Sequence, residues 1–240
     1  MADSLPPSTP PPPPLQPPPV VPPPPPTAGE PPIPWEQPGY PALEGLYETT
    51  KLFLTAPQEA FRRMPVIGEL GRPLGYAILL GWIGIIAGQA YQIALGGTMR
   101  SWMAPFSQGQ DLDMGVGFNI AMMVSAPLLI LIAVFVGAAI LHLFLMLVGG
   151  NTAGFSATTR VVCYANCTAV LQIIPLCGGV VAAIWTIVLE VIGLAIAHRT
   201  TQGKAAAAVL IPIVLCCVCV AIIFAIAGAA IMAAIGKAAN

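Results

Sequence analysis

The feature that most limits the fold is a series of long stretches with almost no charge. A helix that crosses a bilayer needs roughly 20 mostly apolar residues. Five stretches approach or exceed that length, at about 73–95, 115–148, 158–176, 179–197 and 205–235. The second and fifth are longer than one crossing at about 1.5 Å per residue, and they contain Pro127 and Pro212. A kink, or a surface segment ahead of Pro127, is the expected consequence in the second. The third carries Pro175 near its end and is joined to the fourth by Cys177 and Gly178 alone, which calls for a tight helical hairpin. Charged residues make up only 8% of the chain and mean hydropathy is +0.83, against about 25% charge in a soluble domain. The expectation is an all-α polytopic membrane protein, a bundle of about five transmembrane helices with the lipid bilayer as its first partner.

Ahead of the bundle the composition changes twice. Residues 1–41 are dominated by proline, including Pro10–Pro14 and Pro22–Pro26. Proline fixes φ and deletes a backbone donor, so this arm is expected to be disordered, sampling extended polyproline II. Its Pro-x-x-Pro spacings could serve aromatic-lined partner grooves, although a solvated spacer is the simpler reading. Residues 42–72 interleave Leu46, Phe53, Phe61 and Met64 with charged residues, the pattern of short amphipathic helices lying along the membrane surface. Thr55, Pro57 and Gln58 suggest a capping box for the second of them. The third division, 73–240, is the membrane domain.

Charge placement gives an orientation and excludes one class of partner. The N-terminus has no basic region followed by an apolar core, so the arm is expected to remain in the cytosol. Lys51, Arg62, Arg63, Arg72, Arg160, Arg199 and Lys204 then fall inside, and Arg100 and Lys237 outside. This bias follows the positive-inside rule and leaves the C-terminus outside, with Asp111 and Asp113 in an external loop. Arg160, Arg199 and Lys204 are read as cytosolic loop cations. With a net charge of −1 and no basic stripe, nucleic acid is not an expected partner.

Helices in lipid associate through small residues and polar contacts. The fourth stretch has such a face in Gly179, Ala183, Thr186, Gly193 and Ala197, with Glu190 on it; Gly81, Gly84, Gly88, Gln92 and Gly96 mark the first stretch, and Ala221, Ala225, Ala229 and Ala233 the fifth. A carboxyl group in hydrocarbon needs a partner, since insertion scales charge about 2.5 to 3.5 kcal/mol for a charged residue at the helix centre. His142 and Glu190 stand roughly 9 and 12 Å from the cytosolic ends of their helices, so a His142–Glu190 pair is expected, either as polar glue or as a proton relay. The exposed faces also leave room for a homo-oligomer.

Catalytic signatures are missing. The chain has no Gly-x-Ser-x-Gly elbow, Walker loop or His-Glu-x-x-His. Cys163 and Cys167 share a helical face but lack further ligands at matching depth, so no metal and no cofactor are expected. Cys163, Cys167, Cys216, Cys217 and Cys219 lie in apolar runs and read as small hydrophobes; Cys177 sits at a turn.

Pro34-Trp35-Glu36, then Phe53, Pro57, Phe61 and Met64, and Pro73-Leu74-Gly75-Tyr76-Ala77 opening the first apolar stretch form an ordered series. It continues with His142, Gly149-Gly150, Phe155, the run Ala157–Ala165, Ile174-Pro175, Gly178-Gly179, Trp185, Ile192-Gly193-Leu194, His198–Thr201 and Gly203-Lys204-Ala205. Over roughly residues 34–220 this series resembles the prokaryotic branch of the Yip family, five-span membrane proteins whose eukaryotic members interact with Ypt/Rab GTPases. The resemblance implies a cytosolic N-terminus and five helices. It also implies vesicle-trafficking roles in eukaryotic relatives, and it brings no catalytic residues. The expected function is a non-enzymatic membrane-organising scaffold that recruits protein partners through its arm and cytosolic loops, in a bacterial inner membrane. The alternative is a small channel or proton-coupled transporter built on Glu190 and His142.

Overall fold

The computed structural model describes residues 31–103, 115–175 and 177–238. Residues 1–30 of the proline arm, and Asp111 and Asp113, lie outside the described residues. The described residues contain helices and no strand: a 3-10 turn at Pro34–Glu36, α1 (Ala42–Thr55), α2 (Pro57–Arg63), α3 (Gly71–Met103), α4 (Gly115–Leu147), α5 (Gly154–Ala165), a 3-10 segment at Asn166–Ile173, α6 (Gly178–Ala197) and α7 (Gln202–Ala238). Four of them are long and apolar enough to cross a membrane, at Gly71–Ala94, Gly117–Leu147, Gly178–Ala197 and Gln202–Gly228. The chain is an integral membrane protein.

The third expected crossing takes another form. Its α5 helix and 3-10 segment together extend about 34 Å, at about 1.5 and 2.0 Å per residue. They run through the protein interior, packed against α3, α4 and α6. Because α5 is walled by other helices, it can carry Thr158, Thr159 and Arg160 fully buried and still sit inside the bundle. Glycines on α3 make the approach close enough. A Cβ at Gly81 would fall 2.9 Å from the Asn166 amide nitrogen, and one at Gly84 would fall 2.9 Å from the Ala169 carbonyl oxygen. Asn166 uses that proximity to donate to the Ala77 carbonyl at 2.7 Å.

α4 is one continuous helix with Pro127 inside it, not a surface segment followed by a crossing. Proline has no N–H for the carbonyl four residues earlier, which strands the Met123 oxygen. The Trp82 indole on α3 donates to that oxygen at 2.9 Å, so a neighbouring helix satisfies the group that proline leaves open.

The amphipathic stretch does more than lie on a surface. Phe53, Ala60, Phe61 and Met64 are buried in the same core as Tyr76, Leu145, Tyr164, Val161 and Leu194, so α1 and α2 are built into the bundle. Ile33 belongs to that core too, which carries structure eight residues back across the expected arm boundary at residue 41. The capping box does not form: Ala56 is the N-cap of α2, and the Thr55 hydroxyl donates back to the Lys51 carbonyl at 2.7 Å. Pro57 does open the helix, where its missing N–H costs nothing.

At the other extreme, α7 up to residue 228 buries side chains in its first turns, at Ala205, Ala208 and Val209, and the side chains of Ala229 and Ala233 lie outside the described residues. Ala221 and Ala225, expected in the interior, are exposed. Lipid is as good a neighbour for these alanines as another helix, so nothing forces the face inward.

Candidate functional site

The densest polar site forms where the 3-10 turn at Pro34–Glu36 meets α5. The Arg160 Nη1 donates to both carboxylate oxygens of Glu36, at 2.7 and 3.0 Å, across 124 residues of sequence. Its Nη2 donates to the Glu69 carbonyl at 2.6 Å, and the Tyr164 hydroxyl donates to Glu36 Oε1 at 2.5 Å. Among the described residues, Arg160 Nε and the Trp185 indole nitrogen on α6 are the buried side-chain groups left without a partner. Arg160 is therefore no exposed loop cation; it is buried and neutralised. A single guanidinium nitrogen spans the two carboxylate oxygens while the other is turned to the backbone, and charge on both partners makes these hydrogen bonds stronger than neutral ones.

Aromatic rings surround the pair. Phe53 stacks on Tyr164 with centroids 4.9 Å apart, Phe61 meets Phe53 edge-on, and Tyr76 lies 5.1 Å from Tyr164. Thr50 on α1 shares a hydrogen bond with the Tyr76 hydroxyl at 2.9 Å. The Trp35 amide donates to the Thr49 hydroxyl, its indole donates to the Arg72 carbonyl, and Arg72 returns a bond to the Trp35 carbonyl at 2.8 Å. The turn that precedes α1 is thus fastened on both sides.

α6 closes over this site through Gly193. A Cβ there would fall 2.6 Å from Val161 and 2.7 Å from the Phe61 ring, so only glycine fits. Gly193 and Ala197 are buried and Thr186 is half-buried, its hydroxyl 2.6 Å from that of Thr168. At the start of α6 the buried positions are Gly178 and Ala182, one residue off the expected Gly179 and Ala183, which are exposed. The shift arises where Gly178 lies against the Leu171 carbonyl in a space that admits no Cβ.

A second polar cluster closes the α4–α5 and α6–α7 turns. Nδ1 of His198 accepts the Thr152 and Ala153 amides, at 3.4 and 3.2 Å, which leaves its proton on Nε2 facing the Thr158 hydroxyl at 2.9 Å. The Thr152 hydroxyl donates to the His198 carbonyl. Thr158 in turn reaches His142 Nδ1 at 2.9 Å. Burial, followed by the neighbouring His142, lowers the pKa of His198 from its usual range to about 4, so the ring is held neutral. Lys204 donates to the Gly149 carbonyl at 2.9 Å, placing a cation at the C-terminal end of α4, where the helix dipole favours it. Arg199 is exposed, at φ +47°, in the turn that ends α6.

His142 and Glu190 are not joined by a hydrogen bond among the described residues. His142 turns to Thr158 and Asn151, whereas Glu190 lines a cavity in the middle of the bundle. The sequence signals that Arg160 needs a partner, without saying which. Arg160 is a cation inside an apolar stretch and needs a carboxylate by the same argument that gives Glu190 a partner.

A family model described as the Yip1 domain matches residues 51–235. No curated protein and no solved structure matches the chain significantly. Glu36 and Trp35 precede the matched range, while Arg160, Tyr164, His142, His198 and Glu190 fall within it.

Proposed function

We propose, on the premise that this chain belongs to the Yip1 domain family, that it is a non-enzymatic scaffold that organises membrane and recruits protein partners. The observation that carries this reading is the Glu36–Arg160 lock. It fixes the point where the proline arm leaves the bundle, so that whatever the arm binds is held at a set place on the membrane surface. A charge pair buried at that junction is a costly way to attach a mere tail, because desolvation offsets much of its attraction. In the oriented form of this reading, the arm and the Arg199 and Lys204 loop face the cytosol of a bacterial cell and the C-terminus lies outside, as the distribution of basic residues favours.

Photo-crosslinking from positions within residues 1–30, in the native membrane, tests the reading. It predicts discrete protein adducts that disappear when the arm sequence is scrambled at constant composition and that weaken in Arg160→Met. Adducts indifferent to both changes contradict it. The transport alternative predicts proton or ion flux in proteoliposomes that Glu190→Gln abolishes. The different surroundings of His142 and Glu190 favour the scaffold.

A further inference from the structure

The middle of the bundle holds a cavity of about 320 Å³ between α3, α4, the 3-10 segment and α6, a volume at the lower end of ordinary ligand pockets. Ile130 and Val134 form part of its apolar wall, and Asn166, Gln172, Thr186 and Glu190 bring the polar groups. Glu190 lies seven residues before the end of α6, about 10 Å along the helix axis, which places the cavity well inside the span.

The lining is one-sided in its chemistry. Lys, Arg and His are absent from it. The Asn166 amide nitrogen is engaged by the Ala77 carbonyl, which leaves its oxygen as the free end. The Thr186 hydroxyl is engaged by the Ala182 carbonyl and Thr168. Glu190 and Gln172 make no hydrogen bond or ion pair among the described residues. The site therefore offers one carboxylate, spare acceptors and hydrocarbon, and the protein supplies no countercharge. A carboxylate this deep keeps its charge only against a cation and otherwise takes up a proton; the lining supplies no cation, so a guest that holds Glu190 ionised comes from outside the protein.

We propose that the Glu190 cavity binds a compact organic monocation: a primary ammonium group seated on Glu190 with a small apolar body against Ile130 and Val134. One negative group sets the charge of the guest, and the cavity volume limits its size. The apolar wall favours an amine over a hydrated metal ion. This site goes beyond the scaffold reading and stands whether or not the arm recruits a partner.

The test uses the full chain in phosphatidylcholine nanodiscs at pH 8, titrated calorimetrically with benzylammonium and with its neutral analogue benzyl alcohol. Saturable binding of benzylammonium, at least about tenfold tighter than that of the alcohol, is expected, with the preference lost in Glu190→Gln. Gly137→Leu supplies an independent arm. Gly137 lines the cavity, and a Cβ there meets nothing closer than Val162 at 4.0 Å, so a longer side chain has room to enter and reduce the space. That variant is expected to abolish saturable binding, and it decides the question if Glu190→Gln fails to fold. Equal affinity for the two probes overturns the proposal, as does benzylammonium binding that survives unchanged in a folded variant. Replacing the lipid by phosphatidylethanolamine identifies the natural source of the amine. A tenfold weaker benzylammonium affinity assigns the site to a lipid headgroup, and an unchanged one assigns it to a soluble amine.

Discussion

Arg160 and Glu190 are both ionisable groups inside the helical bundle, and they are treated in opposite ways. Arg160 meets both carboxylate oxygens of Glu36 and a backbone carbonyl from Glu69, and the Tyr164 hydroxyl backs the same carboxylate. Glu190 faces a cavity with no partner of its own. A neutralised charge holds two segments together and responds little to what the surroundings offer. An unsatisfied one leaves interaction energy for a guest. The region around α1, α2, α5 and the end of α6 is therefore the fixed half of the molecule, and the middle of the bundle is the half that can respond.

The largest expected effect comes from breaking the fixed half at its charge. Arg160→Met leaves the largely buried Glu36 carboxylate with the Tyr164 hydroxyl but no countercharge, and removing one partner of a buried ion pair costs about 3 to 5 kcal/mol. Thermal unfolding in detergent should show it as a large drop in midpoint. Gly193→Leu attacks the same region by volume, since the new side chain collides with Val161 and Phe61. A loss of about 1 to 3 kcal/mol is expected from overpacking, read as a lower unfolding midpoint in the same detergent.

Protonation probes the edge of the fixed half. The pKa of His198 is depressed in the folded protein by burial and by His142, so the unfolded chain takes up its proton first. Stability is then fully present above about pH 6.5, the ordinary histidine value, and falls as pH drops towards about 4. Unfolding midpoints measured between pH 7.5 and 5.5 should decline by the equivalent of about 1 kcal/mol, and His198→Gln should flatten that part of the decline.

The smallest effect tests packing away from the lock. Trp82→Phe removes the donor that serves the Met123 carbonyl and should cost about 0.5 to 1 kcal/mol. In a Pro127→Ala background the restored helical N–H serves that carbonyl, and the same tryptophan substitution should cost less. Equal costs in the two backgrounds would show that the indole bond has no part in compensating for the proline.

How much of this is readable from residues alone follows from which signals are local. Hydrocarbon length is local, so the long α3, α4, α6 and α7 helices are legible as apolar stretches. α5 and its 3-10 continuation are harder, because a helix shielded by other helices is free to carry polar residues and loses the lipid-facing signature. The family resemblance collects Pro34-Trp35-Glu36 and the Thr-Thr-Arg run of α5 in one series, yet spacing along the chain gives no hint that Glu36 and Arg160 touch. Phe53 and Phe61 alternate with charges as a surface helix would, and nothing in that pattern separates a face turned to lipid from one turned to Tyr164. The Glu190 depth argument finds a group in need of a partner, but the cavity beside it arises from four elements packing imperfectly, which no single stretch records.

The central claim is that Glu36 and Arg160 act as one unit joining the root of the arm to the bundle, and a double-mutant cycle addresses it most directly. Stabilities of the wild type, Glu36→Gln, Arg160→Met and the double variant in the same detergent give the coupling between the two side chains. A coupling of at least about 2 kcal/mol is predicted, with the double variant no less stable than Arg160→Met alone. Strictly additive losses would mean that the two groups do not meet in the folded membrane protein and would contradict the account.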